Sequence, residues 1–224
     1  MLARILEPEI MDTEEDASQY DAIPNDDVNL IYVEEVLSLV PLSATTLIDL
    51  GTGPAHIPIL FATKRPNLNI TAIELADNMI TLAKKNIQRV GLSARIKIEK
   101  QDVKNTSFAK HSFDVVTSNS IVHHIHNPIE LFIEAKRLAK LHSVIYFKDL
   151  LRPKSLGELE HLVELYAADV NEYQRELFYH SLHAALTLDE VRDCAMTAGF
   201  ANAIIVQTSD RHWTITCELR GVNS

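Results

Sequence analysis

The 224-residue chain has only two cysteines, Cys194 and Cys217, and no Cys-x-x-Cys pair. A disulfide framework is therefore not expected, and a reducing compartment fits this cysteine usage. The sequence also lacks any apolar run of the roughly 18 residues that cross a membrane, and residues 1–20 contain no apolar core of signal-peptide length. We expect a cytoplasmic protein with no membrane partner.

Basic residues are scarce as well. Lys and Arg number 21 against 31 Asp and Glu, for a formal net charge of -10. Binding along nucleic-acid phosphates requires clustered Lys and Arg, so a nucleic-acid partner is not favoured. The length suits one domain, and a chain with 46% hydrophobic residues can bury a sizeable core. A monomer and a homodimer are both compatible with the sequence.

Short apolar strands alternate with amphipathic helices through the first two thirds of the chain. An acidic segment at 1–26 reads as irregular, and a helix follows it to Val40. Strands are then predicted at 46–50, 69–74, 95–101, 113–118 and 143–150, and helices at 55–65, 77–90 and 128–140. This alternation predicts a parallel sheet with helices on both faces.

The alternation ends after Pro153. Apolar residues from Leu156 to Leu177 recur at spacings of three and four, which indicates one long amphipathic helix or a broken pair. Such helices cap a sheet more often than they form a dimer seam. A helix between Thr187 and Gly199 and two strands, at 203–207 and 213–219, complete the pattern. We therefore expect a Rossmann-like, doubly wound α/β fold with seven mostly parallel strands, a C-terminal antiparallel hairpin and a helical cap.

A glycine-containing turn follows the first strand. The dinucleotide-binding pattern G-x-G-x-x-G fails here because His56 occupies its third glycine position. A second pattern, an acid two residues before G-x-G-x-G, is matched by Asp49, Gly51 and Gly53, with Ala55 in place of the last glycine. An acid at this point would repel a pyrophosphate and favours a cationic ligand.

This loop resembles motif I of the class I S-adenosylmethionine-dependent methyltransferases, with a domain similar to methyltransferase types 11 and 25. The resemblance covers residues 44–150 well and implies S-adenosylmethionine as the cofactor and S-adenosylhomocysteine as its product. It implies a larger set of cofactor-binding residues, namely Asp49, Gly51, Thr52, Gly53, Pro54, Glu74, Leu75, Met79, Asp102, Val103, Asn119 and Ser120.

Acids follow the next two strands as well. Glu74 ends the second strand, where a carboxylate can accept both ribose hydroxyls, and Asp102 follows the third. By resemblance, Asp102 contacts the adenine amino group while its neighbour packs on the ring. Each acid alone could be a solvated loop carboxylate. Together with Asp49 they fall at successive strand ends, where open α/β sheets bind ligands.

Three histidines, His123, His124 and His126, follow the fourth strand. We expect no metal here, because adjacent histidines point to opposite sides of a regular element and no nearby Cys or acid completes a ligand set. His123 and His124 are candidate catalytic residues, as a general base or as groups that orient the acceptor. A structural hydrogen bond that holds the loop is the alternative.

Two further residues are candidates for the acceptor side. Tyr20 could close over the site from the N-terminal segment, although ordinary packing would also explain it. Arg152 follows the fifth strand and could hold an acceptor carboxylate, although a plain ion pair is the more common role.

The sequence thus predicts a methyltransferase that moves a methyl group from S-adenosylmethionine to an unidentified small molecule by in-line displacement. An RNA or protein acceptor, a non-catalytic S-adenosylmethionine-binding module and a nicotinamide-dependent oxidoreductase are the alternatives. We expect residues 1–43 to form an N-terminal segment with lid helices, and 44–224 to form the cofactor-binding domain, with a helical insertion at about 152–186.

Overall fold

The fold is described from a computed structural model, which places residues 2–10, 12–23 and 26–219, without the side chain of Asp26. These residues form a seven-stranded sheet in the order β3-β2-β1-β4-β5-β7-β6. The strands are β1 (Thr46–Leu50), β2 (Asn69–Glu74), β3 (Ile96–Lys100), β4 (Phe113–Asn119), β5 (Ala139–Leu150), β6 (Ile204–Gln207) and β7 (His212–Glu218). The first five strands are parallel, whereas β7 runs antiparallel to β5 and β6.

Eight helices surround the sheet within the described residues. They are α1 (Glu14–Asp21), α2 (Asp26–Leu39), α3 (His56–Lys64), α4 (Asp77–Arg89), α5 (Pro128–Leu138), α6 (Leu156–Tyr166), α7 (Glu172–Ala184) and α8 (Leu188–Thr197). The predicted doubly wound α/β class is confirmed, as are the antiparallel end and the cap. None of these helices combines the length and the apolar composition that a membrane crossing requires.

Alternation of side chains along the strands fills a core on each face of the sheet. On β1, Leu47 packs with α2, α3 and α4, while its neighbour Ile48 packs with α5 and α8 on the opposite face; both are fully buried. Short apolar strands buried on both faces are typical of parallel sheets. Trp213 of β7 is also fully buried, so this strand is anchored in the core.

The cap is a broken pair of helices, α6 and α7, instead of one long helix. Their apolar residues pack with Leu150 at the end of β5 and with Leu2, so the cap lies over the carboxyl end of the sheet. The N-terminal part was predicted to be irregular, and that prediction is wrong for α1. Thr13 and Asp16 form a capping box, which nucleates this short polar helix without an apolar stripe to signal it.

The order of the strands reverses at β1, which lies between β2 and β4. Crevices at such reversals, outside the carboxyl ends of the strands, are where open α/β sheets bind ligands. The loops that follow β1 to β5 all emerge at this edge. The fold therefore brings the residues singled out in the sequence to one crevice.

Candidate active site

The loop after β1 has a backbone that only small residues tolerate. Gly51, Gly53 and Ala55 have φ angles of +74°, +53° and +66°. A Cβ on Gly51 would lie 1.9 Å from the Cδ1 atom of Ile121, whereas one on Gly53 would meet only a Tyr20 ring carbon at 3.7 Å. Ala55, in the place of the third glycine, adopts the left-handed conformation despite its Cβ, so the loop retains the turn that the glycine pattern requires.

Asp49 lies directly below this loop and is 2% exposed. Its Oδ1 accepts a hydrogen bond of 3.1 Å from Thr117, and burial raises the pKa of the carboxyl to about 6. No Lys, Arg or His of the described residues forms an ion pair with it, although a buried carboxylate is costly without a cation. The buried Thr52 hydroxyl faces the same carboxylate and, like Thr117, lowers its pKa. A buried carboxylate with no cation paired to it fits a cationic ligand.

Glu74 links the first two loops of the crevice. One carboxylate oxygen accepts a hydrogen bond of 2.9 Å from the Gly53 amide, and the other accepts bonds from the amides of Leu75 and Ala76 at 2.8 and 3.1 Å. These contacts fix the orientation of the carboxylate toward the cavity that it lines. Each oxygen still has acceptor capacity for a hydroxyl group.

The next loop carries Asp102 and Val103. The Asp102 carboxylate accepts a hydrogen bond of 2.9 Å from the Lys104 amide and lines the same cavity, while Val103 is 8% exposed. Met79 of α4 packs against Ala17 of α1 and also lines the cavity. A polar group beside apolar side chains is suited to a heteroaromatic ring with an exocyclic amino group.

Asn119 ends β4, and Ser120 follows it. Both line the cavity, and Ser120 has a φ of +56° while its amide donates a 3.0 Å hydrogen bond to the Lys148 carbonyl. Pro54 also lines it. All twelve residues predicted to bind the cofactor therefore line one cavity, although they come from four separate parts of the chain.

The N-terminal segment (residues 2–10) covers the other end of the crevice. The Arg4 guanidinium donates hydrogen bonds to the carbonyls of Ala184, His123 and Ile125 at 2.6, 3.1 and 3.0 Å. Further along, Glu9 pairs with Lys104 at 2.6 Å. The segment therefore joins the cap, the histidine turn and the loop after β3.

His123 and His124 lie on a 3-10 turn, Val122–His124, directly after β4. His123 is 4% exposed, and its Nδ1 lies 2.5 Å from Oδ1 of Asp149, a residue of β5 that is 1% exposed. Burial alone would lower the pKa of His123, but the Asp149 carboxylate raises it above the usual value. Asp149 also accepts hydrogen bonds of 2.6 Å from the amides of Val122 and Leu150, so it fixes both the ring and the turn.

Glu7 of the N-terminal segment faces both histidines. Its Oε1 lies 3.6 Å from Nε2 of His123 and 3.1 Å from Nδ1 of His124. Burial raises the pKa of Glu7 and lowers that of His124 to about 3. The two rings lie side by side, with centroids 4.3 Å apart. The sequence predicted no metal here for two reasons, and the structure contradicts both reasons. The two rings lie on the same side of the turn, and Glu7, which is distant in sequence, lies beside both of them.

The two candidates for the acceptor side have different positions. Tyr20 lines the cavity above Gly53, at the cofactor loop, and burial raises its pKa to about 12. The Arg152 guanidinium instead donates hydrogen bonds to Glu190 at 2.7 Å and to the Ala185 carbonyl at 3.0 Å, and it does not line the cavity. Arg152 joins the cap to α8, and we assign it no contact with an acceptor.

Sequence reasoning missed Glu7 as a member of the site, and it placed Asp149 beside the cleft without assigning it a role. Asp149 carried a signal, because it ends a predicted strand at the edge where the other acids lie. Glu7 carried none, since it lies in a segment without regular structure, far from the histidines in the chain. Only the tertiary fold brings it to them.

Comparison with known proteins agrees with this geometry. A family model described as a methyltransferase domain matches residues 41–207. The chain belongs to this methyltransferase family. The predictions of a class I methyltransferase and of S-adenosylmethionine as methyl donor are thereby confirmed at the level of the family.

Solved structures share the fold. A putative S-adenosylmethionine-dependent methyltransferase from Methanococcus maripaludis is 20% identical with a TM-score of 0.74, over 98% of this chain and 100% of that one. The plantazolicin methyltransferase, solved with S-adenosylhomocysteine and a monoazolic desmethylPZN analogue, is 18% identical with a TM-score of 0.72, over 91% and 89% of the two chains.

Curated relatives match a shorter stretch. The tRNA1(Val) (adenine(37)-N6)-methyltransferase of Histophilus somni is 41% identical over 80 residues, which are 34% of this chain and 33% of the relative. The release factor glutamine methyltransferase of Rhodopirellula baltica is 30% identical over 74 residues, 33% and 25% of the two chains. The chain thus spans a third or less of the length of these relatives.

Proposed function

We propose that this protein transfers the methyl group of S-adenosylmethionine to a small, largely apolar molecule. The observation that supports this acceptor class is a single cavity of about 370 Å³ that extends from the glycine loop to the histidine turn. Residues of the N-terminal segment and of both cap helices line its outer side. A concave site that is partly covered in this way suits a small molecule better than a polymer.

Outside the predicted cofactor loops, the cavity is lined mainly by apolar side chains, with Lys148, Arg211 and His212 among the polar exceptions. The apolar side chains there include Ile23, Val28, Ile125, Leu150, Val170, Leu177 and Phe178. Asn29, Gln174 and Ser181 are the uncharged polar side chains among them. A lining of this kind binds through apolar contact and fixes the orientation of the ligand through a few hydrogen bonds.

In this proposal each loop has a separate task. Asp49 attracts the cationic methionine end, Glu74 accepts hydrogen bonds from the ribose hydroxyls, and Asp102 contacts the adenine. When bound, the cofactor supplies an electrophilic methyl group on a sulfonium. The protein then has to hold the acceptor atom in line with that methyl group and keep water out.

His123 and His124 lie at the acceptor end and orient the acceptor. The ring of His123 is fixed by Asp149 through Nδ1, which leaves Nε2 directed toward Glu7 and the cavity. In the absence of a bound metal, Nε2 can accept a proton from an acceptor that must lose one. Glu7 and the N-terminal segment would then close the site around the acceptor.

An RNA or protein acceptor is the second candidate, and the names of the curated relatives favour it. The net charge of -10 argues against extended contact with RNA. The matched stretch also covers only about a third of this chain. We therefore rank a small molecule first.

Methyl-labelled S-adenosylmethionine distinguishes these acceptors. The purified protein is incubated with a metabolite extract, with total tRNA and with a protein extract, and label is followed in each fraction. We expect label in the metabolite fraction alone. Label in tRNA or protein would overturn the small-molecule proposal, and tight cofactor binding without label in any fraction would indicate a non-catalytic module.

Titration calorimetry with S-adenosylmethionine, and with NAD as control, tests the cofactor in this chain. We expect S-adenosylmethionine to bind and NAD not to bind.

We also propose that the chain divides into residues 1–43 and 44–224, with the helical insertion at 152–186. The packing of α2 into the main core beside α3 supports assigning the lid within 1–43 to α1 and the N-terminal segment. The cytoplasmic location stays a prediction.

A further inference from the structure

Glu7, His123 and His124 each direct one potential ligand atom to a common point. The three atoms all lie within 4.8 Å of one another. The side chains of Glu7, His123 and His124 are 9%, 4% and 17% exposed. They come from two segments that are far apart in sequence, so the folded protein assembles this group.

The three groups do not satisfy one another by hydrogen bonds. The 3.6 Å between Nε2 of His123 and Oε1 of Glu7 is too long for a hydrogen bond. Nδ1 of His124 is buried and has no hydrogen-bond partner among the described residues, although Oε1 of Glu7 lies 3.1 Å away. A buried nitrogen without a partner is costly, and it requires an explanation.

A metal ion would satisfy all three atoms at once. Zinc binds His nitrogen and carboxylate oxygen at about 2.0–2.2 Å, so the ligand atoms of a tetrahedral site are separated by roughly 3.3 Å. Two of the three separations in the structure, 3.1 and 3.6 Å, lie on either side of this value, and the third is within 4.8 Å. Two His and one Glu are also a recognised ligand set of catalytic zinc sites.

The surroundings match a metal site in a second way. A ligating His commonly donates its other ring N–H to a carboxylate, which fixes the tautomer and the ring. Asp149 is placed to accept this bond from Nδ1 of His123 at 2.5 Å, which leaves Nε2 for a metal. Both histidines line the cavity, so a fourth coordination position would open toward the acceptor.

We propose that Glu7, His123 and His124 bind a divalent first-row transition metal, zinc in the first instance, through Oε1, Nε2 and Nδ1. The ion would lie at the acceptor end of the cavity, with Asp149 as the carboxylate behind His123. Metal ligation and proton acceptance use the same lone pair of His123, so each excludes the other. The site goes beyond the proposed function, because it can exist whether or not the protein transfers methyl groups.

The test measures metal binding without cofactor or acceptor. Protein freed of metal with a chelator is titrated with Zn²⁺ by calorimetry, and with Co²⁺ by visible absorption, which reports the coordination geometry. We expect one equivalent of each metal, with Co²⁺ bands typical of tetrahedral or five-coordinate geometry. Mg²⁺, which prefers oxygen ligands, should not bind. Absence of stoichiometric Zn²⁺ binding by the folded protein would overturn the proposal.

Matched variants locate the ion. Glu7→Gln and His124→Ala should each weaken Zn²⁺ binding at least about hundredfold, since each removes a ligand. His161→Ala removes an exposed histidine of α6, and Glu160→Gln alters an exposed glutamate of the same helix; neither residue lines the cavity. Both controls should retain wild-type affinity within about fivefold. Equal losses in ligand and control variants, or binding unchanged in all four, would show adventitious binding and overturn the site. Circular dichroism confirms that each variant is folded.

Discussion

The two ends of the cavity are built in different ways. At the cofactor end, the acids lie at the end of a strand or directly after one, as Asp49 does in β1, two residues before Gly51. At the acceptor end, Glu7, His123 and Asp149 come from three distant parts of the chain. The first end depends on local sequence, whereas the second depends on packing of the N-terminal segment against the cap.

Gly51 is where the two ends touch, so its substitution is expected to have the largest effect. In Gly51→Ala the new Cβ would overlap Ile121, which precedes the histidine turn, at a φ that strains any side chain. We expect affinity for S-adenosylmethionine to fall at least about hundredfold.

Gly53→Ala is the matched control for this loop. Gly53 also has a positive φ, but its Cβ would have room beside Tyr20. Its loss of affinity should be at least about tenfold smaller, since strain remains but overlap does not. Calorimetry measures both variants, and thermal melting reports folding. Equal losses in the two variants would mean that backbone strain, and not overlap with Ile121, causes the loss of affinity in Gly51→Ala.

His124→Ala separates the ends most directly. The ring faces Glu7 at the acceptor end, and none of its described contacts involves the glycine loop. Turnover of the acceptor should fall by about a hundredfold or more, the usual contribution of a group positioned for acid-base or metal chemistry. Affinity for S-adenosylmethionine should stay within about twofold of wild type. A loss of cofactor binding would assign His124 to the cofactor end and contradict the division.

The contrast between the two ends of the cavity also explains which features could be predicted from the sequence. The strands and most helices follow from apolar periodicity, and the grouping of the proposed cofactor residues at one crevice follows from acids and glycines at strand ends. The helix α1 was missed because its capping box operates without an apolar stripe. The grouping of Glu7 with the histidines was missed for a different reason. It depends on Arg4, whose hydrogen bonds to Ala184 and to the histidine turn fix the segment, and no local pattern encodes contacts across such a distance.

Glu74→Ala tests the cofactor end alone. Removal of the carboxylate deletes the proposed contacts to both ribose hydroxyls and the hydrogen bond from the Gly53 amide. Affinity for S-adenosylmethionine should fall at least about tenfold, from loss of contacts worth roughly 1.5–3 kcal/mol. Glu160→Ala, an exposed glutamate of α6, provides a control that should bind normally. An unchanged dissociation constant in Glu74→Ala would remove the ribose assignment.

The pH dependence of cofactor binding is expected to be the smallest effect and reports on Asp49. Burial raises the pKa of this carboxyl to about 6, so the charge that attracts a cationic ligand is present above that pH and lost below it. Affinity for S-adenosylmethionine should therefore decrease by up to about tenfold per pH unit below 6. Calorimetry across about pH 5–7.5 measures this slope.

The stability of the ligand-free protein should change in the opposite direction with pH. The folded pKa of Asp49, about 6, exceeds the ordinary value of 3.8, so the folded state binds this proton more tightly than the unfolded state does. The stabilisation from this group is complete below about pH 4 and is lost as the pH rises through 6. Asp49→Asn should remove both dependences, because an amide does not titrate in this range. If the affinity of the wild type for S-adenosylmethionine were constant down to pH 5, Asp49 would not be the group that attracts the cation. The electrostatic account of the cofactor end would then fail, whereas the proposals for the acceptor end would not be affected.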